Sequence, residues 1–158
     1  MEVMIQRIQS LYLFMTILLS VLFLMGNIFT FAGEPGMVYK TTLNGIYLVS
    51  DGVITPQDHS TLPLTVFAIL TALFSGITLF SFRNRKLQSK LAFSVIIVAF
   101  MLVLTSAYCL WYVISEFNTR FIPGYKMILP LAMVMFAFLA YRGIRKDEDL
   151  VKSYDRLR

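Results

Sequence analysis

The sequence predicts an all-α membrane protein: a four-transmembrane-helix bundle with a small extracytoplasmic β-hairpin loop and a cytoplasmic amphipathic C-terminal helix. Three observations carry this expectation: an apolar composition, four apolar stretches of membrane-crossing length, three of them uncharged, and a one-sided distribution of basic residues. Of the 158 residues, 58% are hydrophobic and 15% charged, with a mean hydropathy of +0.73. Soluble domains are about 45–50% apolar and about 25% charged, so the excess here needs lipid as its neighbour. One Cys and one His exclude a disulfide framework, a CxxC redox pair and a zinc site needing several Cys or His ligands from this chain.

Taken in order, residues 11–31, 62–82 and 91–115 are uncharged and apolar, each long enough for a hydrocarbon layer of about 30 Å at about 1.5 Å per residue. The fourth span, residues 121–142, contains Lys126, whose stem has to carry the ammonium outward to water. Pro123 suits a first helical turn, whereas Pro130 falls inside the span and is expected to kink it. The apolar core of residues 11–31 exceeds a secretory h-region, and Thr30-Phe31-Ala32 is a poor cleavage site, so an uncleaved anchor is expected.

Loops rich in Lys and Arg stay in the cytoplasm. Arg7 precedes the first span; Arg83, Arg85, Lys86 and Lys90 join the second and third; Arg142, Arg145, Lys146, Lys152, Arg156 and Arg158 follow the fourth. Only Lys40, Arg120 and Lys126 lie on the other side. Both termini are therefore expected on the cytoplasmic side of the membrane. The net charge of +5 then reads as a topology signal and an attraction to anionic lipid on the cytoplasmic face, with no nucleic-acid partner.

The outer loop, residues 32–61, holds two β-prone runs about Asn44-Gly45, the dipeptide suited to a two-residue turn with positive φ at both positions. Asp51-Gly52 then turns the chain toward Val53 and Ile54, a short third strand. About 30 residues cannot bury a core alone, so this element is expected over the outer helix ends, with Tyr39 and Tyr47 at the interface. In the tail, residues 143–158, Leu150, Tyr154 and Leu157 mark one helical face, and Glu148 lies four residues before Lys152. That face suits either a solvated continuation of the fourth span lying at the inner membrane surface or a docking helix for a partner. Arg7-Ile-Gln-Ser matches Lys86-Leu-Gln-Ser at an offset of about 79, and Phe82-Arg83 matches Tyr141-Arg142 at about 59, the pattern of a parallel duplication.

No span contains Asp, Glu or His, which argues against a proton-coupled exporter, and no GxSxG, HExxH or phosphate-binding glycine loop is present. Catalytic, cofactor-binding and metal residues are accordingly not assigned. Cys109 reads as a small core hydrophobe, His59 as a solvated loop residue near Asp58, and Met133 and Met135 as helix-face fillers. Three groups remain. Arg83, Arg85 and Lys86, with Leu150, Tyr154 and Leu157, are candidate contacts to a partner or anionic lipid. Tyr108, Trp111 and Tyr112 form a candidate outer-leaflet aromatic patch, whose sharper alternative is a quinone or lipid pocket. Ala68, Ala72 and Gly76, beside Thr71 and Ser75, recur at the spacing that lets helices approach closely in lipid; Ala92, Ala99 and Ser106, with Ala132 and Ala140, extend it.

Met4-Ile-Gln-Arg-Ile-Gln-Ser-Leu-Tyr-Leu at the start, Asn84-Arg-Lys-Leu-Gln in the inner loop and Lys146-Asp-Glu-Asp-Leu-Val-Lys-Ser-Tyr-Asp-Arg-Leu-Arg at the end resemble an uncharacterised four-span family of Bacteroidetes bacteria, domain of unknown function 4293. The resemblance covers essentially the whole chain. It implies a bacterial inner-membrane protein, supplies no catalytic or ligand residues, and makes Met4 the expected initiator. The functional expectation is a non-catalytic scaffold or accessory subunit of a membrane complex, with a membrane-protein partner or a homo-oligomer. The alternative is a small carrier of lipids or hydrophobic molecules. An enzyme would need its site around Asp51, Asp58 and His59.

Overall fold

A computed structural model describes the backbone of residues 2–156 apart from Asp51, Asp58 and Arg83, and the side chains of residues 8–149 apart from the same three. In order, the elements are α1 (Glu2–Leu24), β1 (Phe29–Ala32), β2 (Met37–Thr41), β3 (Ile46–Ser50), β4 (Val53–Gln57), α2 (Leu62–Phe80), α3 (Arg85–Phe117), β5 (Arg120–Ile122), a 3-10 turn (Tyr125–Met127) and α4 (Leu129–Arg156). The helices pack in a ring, α1 on α2, α2 on α3, α3 on α4 and α4 back on α1.

One period explains that packing. Buried positions alternate by four and three residues along every helix: Gln9, Leu13, Thr16, Ser20 and Phe23 on α1; Leu64, Ala68, Thr71, Ser75 and Thr78 on α2. The same step runs through Gln88, Ala92, Val95, Ala99, Leu102 and Ser106 on α3, and through Pro130, Met133, Ala137, Ala140, Ile144 and Asp147 on α4. A 3.5-residue repeat keeps one seam facing its neighbours and favours left-handed supercoiling. Many seam residues are Ala, Ser or Thr, which bring backbones close; Ser20 Oγ donates to the Ala68 carbonyl at 2.6 Å across the α1–α2 contact. The outward surfaces are apolar instead, with Leu11, Phe14, Leu18, Leu73, Ile77, Phe93, Phe100, Leu104 and Phe138 all exposed.

The all-α four-span expectation is corrected on two counts. First, a five-stranded antiparallel sheet, ordered β4-β3-β2-β1-β5, covers one end of the bundle. Second, among the described residues three helical segments are long and apolar enough to cross a membrane: Leu62–Phe80, Arg85–Phe117 and Tyr125–Asp149. The described apolar stretch of α1, Ile8–Leu24, is shorter. At 17 residues it is about 25 Å long, against a hydrocarbon layer of about 30 Å. The expected span over residues 11–31 breaks because Gly26 adopts φ +67° and the chain then runs extended. Phe29 and Phe31 enter β1 and pair with Thr41 and Tyr39. The chain near Phe121 behaves likewise: it pairs with Phe31 in β5 where a helix start was expected.

Local chemistry sets the remaining differences. Thr41 faces Ile46, so the loop of the β2–β3 hairpin holds the four residues 42–45, and Asn44 lacks the positive φ expected of it. A tight turn comes instead between Ser50 and Val53, which stand opposite each other, with Gly52 at φ +81°; Asp51 lies outside the described residues. β4 extends through Pro56, tolerated because this is an edge strand with no further ladder to feed. Pro130 stands in the first turn of α4, where no amide hydrogen is needed, so it has no kink to impose. The tail continues α4 without a break up to Arg156.

The sheet seats itself on the bundle through one face. Phe29, Phe31 and Ile46 join the core formed by Phe23, Leu64, Ala68, Ala99, Leu102, Val113 and Met133. Tyr39 packs on Phe117 at 4.9 Å and Phe31 on Phe121 at 5.6 Å. The 79-residue offset lays Gln9, Leu13, Ser20 and Phe23 on Gln88, Ala92, Ala99 and Leu102, buried on buried. A shared heptad makes such coincidence common. The 59-residue offset lays buried Leu64 and Ala68 on exposed Pro123 and Met127, out of phase.

Candidate functional site

At the end away from the sheet, a polar latch joins three helices. Gln9 Nε2 of α1 donates to Asp147 Oδ2 of α4 at 2.7 Å, and Arg85 Nη1 of α3 reaches the same oxygen at 3.0 Å. Asp147 and Gln9 are buried; the Arg85 side chain is 25% exposed. Gln88 Nε2 donates to the Thr78 carbonyl at 3.3 Å and so ties α3 to α2. Gly143 makes room for the latch: a Cβ there would lie 2.8 Å from Gln9 Cγ. The helices begin and end here for local reasons. Asn84 Oδ1 caps α3 by accepting from the Leu87 amide at 3.2 Å, and Arg145 leans back to donate to the Tyr141 hydroxyl at 2.6 Å.

At the sheet end, Thr61 is the hinge between loop and bundle. Its hydroxyl approaches the carbonyls of Thr42 and Leu43 at 2.7 and 3.0 Å, and Thr65 donates to Leu43 at 3.0 Å. Committed to the hairpin loop, Thr61 makes no cap bond to α2, and Ser60 Oγ accepts from the Leu62 amide instead. Beside this junction lies a cavity of about 570 Å³, lined by residues 59–64 of the α2 entry and by Thr105, Tyr108 and Cys109 of α3. His59 is held flat against Tyr112, ring centres 3.8 Å apart and planes 13° apart. Tyr108 lies 6.2 Å from Trp111 and 6.3 Å from Tyr112. The expectation of a freely solvated His59 is thereby replaced by a stacked residue on a cavity wall. Behind that wall the buried Thr41 hydroxyl lies beside Cys109 without a hydrogen bond of normal geometry.

The expected outward reach of Lys126 is also corrected. It is 6% exposed, and its ammonium donates to the Met25 carbonyl just beyond α1, where a cation complements the helix C-terminus.

Of the sequence candidates, Tyr108 lines the cavity and Tyr112 orients His59, while Trp111 stands exposed alongside. Arg85 belongs to the latch and Lys86 is exposed. Arg83, Asp51, Asp58 and the side chains of Leu150, Tyr154 and Leu157 lie outside the described residues. Ala68 is fully buried, whereas Ala72 and Gly76 are half-buried. Each four-residue step turns about 40° past the previous side chain, so the three fan away from the seam. Gln9, Gln88, Asp147 and Thr61 were missed. Asp147 could have been found by extending the seam of Met133, Ala137, Ala140 and Ile144 into the tail; Thr61 carried no such signal.

Among the described residues, no group of three or more His, Cys, Asp or Glu is placed to hold a metal. A family model described as "Domain of unknown function (DUF4293)" matches residues 5–157. No curated protein matches the chain.

Proposed function

The chain belongs to the family described as a domain of unknown function, DUF4293, and for this member we propose a non-catalytic scaffold or accessory subunit in a bacterial cytoplasmic membrane. The observation that carries the reading is the continuous heptad seam beneath a seated sheet: a stiff support presenting a different surface at each end. At the latch end, Lys86, Lys90, Arg142, Arg145 and Lys146 are exposed, an excess of cations that favours the cytoplasmic side and anionic lipid or an acidic partner. The sheet end then faces outward. Three apolar helices are compatible with membrane insertion.

Mild-detergent copurification tests the scaffold. A stoichiometric protein partner is expected, and it should be lost when exposed Lys86 and Lys90 are replaced by Ala while the chain still inserts. Recovery of the chain alone under all mild conditions would overturn it. Lipid handling is the second reading, favoured by the cavity beside His59 and Tyr108.

A further inference from the structure

We infer that the cavity between the entry to α2 and the outer half of α3 binds part of one membrane phospholipid, one of its acyl chains along Leu64 and Cys109 and its phosphate at His59 and Ser60. The inference rests on the second reading above and on membrane placement of α2 and α3. Four observations lead to it. The volume of about 570 Å³ lies in the range of about 300–1,000 Å³ usual for small-molecule sites. Its flanks are outward-facing: Leu62 is 60% and Tyr108 57% exposed, so the neighbours of this opening are the neighbours of the helices' apolar surface. In a bilayer those are lipids, which identifies the occupant.

The third observation is polarity. His59 and Ser60 stand at one side, while Leu64 and Cys109 supply an apolar wall, so the site is two-ended like an amphiphile. The fourth is the donor set. Stacking on Tyr112 fixes the His59 ring, whose nitrogens make no hydrogen bond to a described residue, and Ser60 Oγ, accepting from the Leu62 amide, keeps its own proton to donate. The first turn of α2 carries no acidic side chain. Phosphate oxygens, acceptors only, satisfy such a set. The location agrees: the site lies where α2 begins, at the depth of headgroups, with the chain-sized part running toward the bundle.

The test is native mass spectrometry of the full chain, delipidated in detergent and titrated with phosphatidylglycerol, with monoolein as an uncharged amphiphile and oleate as a carboxylate. Wild type is expected to retain one phosphatidylglycerol under activation that strips the rest. His59→Leu should reduce that retained fraction about fivefold or more while sparing monoolein, and Ser60→Ala should act in the same direction. Thr105→Trp, which fills the cavity, should abolish both lipids with the thermal unfolding temperature unchanged. Equal retention by wild type, His59→Leu and Ser60→Ala would overturn the site, as would preference for monoolein or oleate. Release of the chain from membranes by alkaline carbonate would instead overturn the membrane placement, so the two failures are distinguishable.

Discussion

Asp147 illustrates how one carboxylate organises an end of the molecule. It accepts from Gln9 and Arg85 together, so its removal strands two donors in a mostly buried setting. A fully buried pair costs about 3–5 kcal/mol to break; partial exposure of Arg85 lowers the expectation for Asp147→Leu to about 1–3 kcal/mol. Asp147→Asn, which keeps an acceptor oxygen, should lose less. Thermal unfolding in detergent checks the order, and an unchanged midpoint for Asp147→Leu would refute the latch. Gly143→Ala acts on the same latch by displacing Gln9, because the added Cβ meets Gln9 Cγ at 2.8 Å. Its cost should shrink when Gln9 is already Ala, and a double-mutant cycle measures that coupling. At the other end Lys126→Met removes the cation from the end of α1, with an expected cost of about 1–2 kcal/mol.

Among elements, the α1–α2 contact and the hairpin stand out. Ser20 is fully buried and bonded to the Ala68 carbonyl, so Ser20→Leu has neither space nor partner there. Overpacking of that kind costs about 1–3 kcal/mol, whereas Ser20→Ala should cost only about 0.6 kcal/mol, the usual worth of a hydrogen bond within a membrane bundle. Unfolding midpoints of the pair separate steric from hydrogen-bond effects. In the hairpin, Gly52→Val places a β-branched side chain at φ +81° and should lower stability by at least about 1 kcal/mol, or shift the register of β4. Amide exchange along β3 and β4 would detect the shift.

At the scale of the whole molecule, the termini of α1 and α4 meet through Gln9 and Asp147, so the tail and the N-terminal segment share one end of the bundle. If that end is cytoplasmic, a fluorescent reporter after Arg158 should be bright and a phosphatase reporter there inactive. The chain has one cysteine, which makes a complementary test simple. With Cys109→Ala as background, a cysteine at exposed Asn44 should react with an impermeant maleimide in intact cells, and one at exposed Lys86 only after lysis. Reversed labelling would invert the orientation.

Length and apolarity along the chain determined that helices would dominate and where α2 and α3 run, because those are sums over local residues; α4 begins later than the expected span over 121–142 and runs on to Arg156. The turn between Ser50 and Val53, with Gly52 at positive φ, was equally local. Tertiary structure alone decided that Phe29–Ala32 and Arg120–Ile122 become strands, since an apolar run obeys whichever partner offers backbone hydrogen bonds and a buried face. It also decided the site. His59, Tyr108 and Cys109 share a wall, and Gln9, Arg85 and Asp147 share an oxygen, only because helices distant in sequence lie side by side; no spacing along one helix encodes a distance between two.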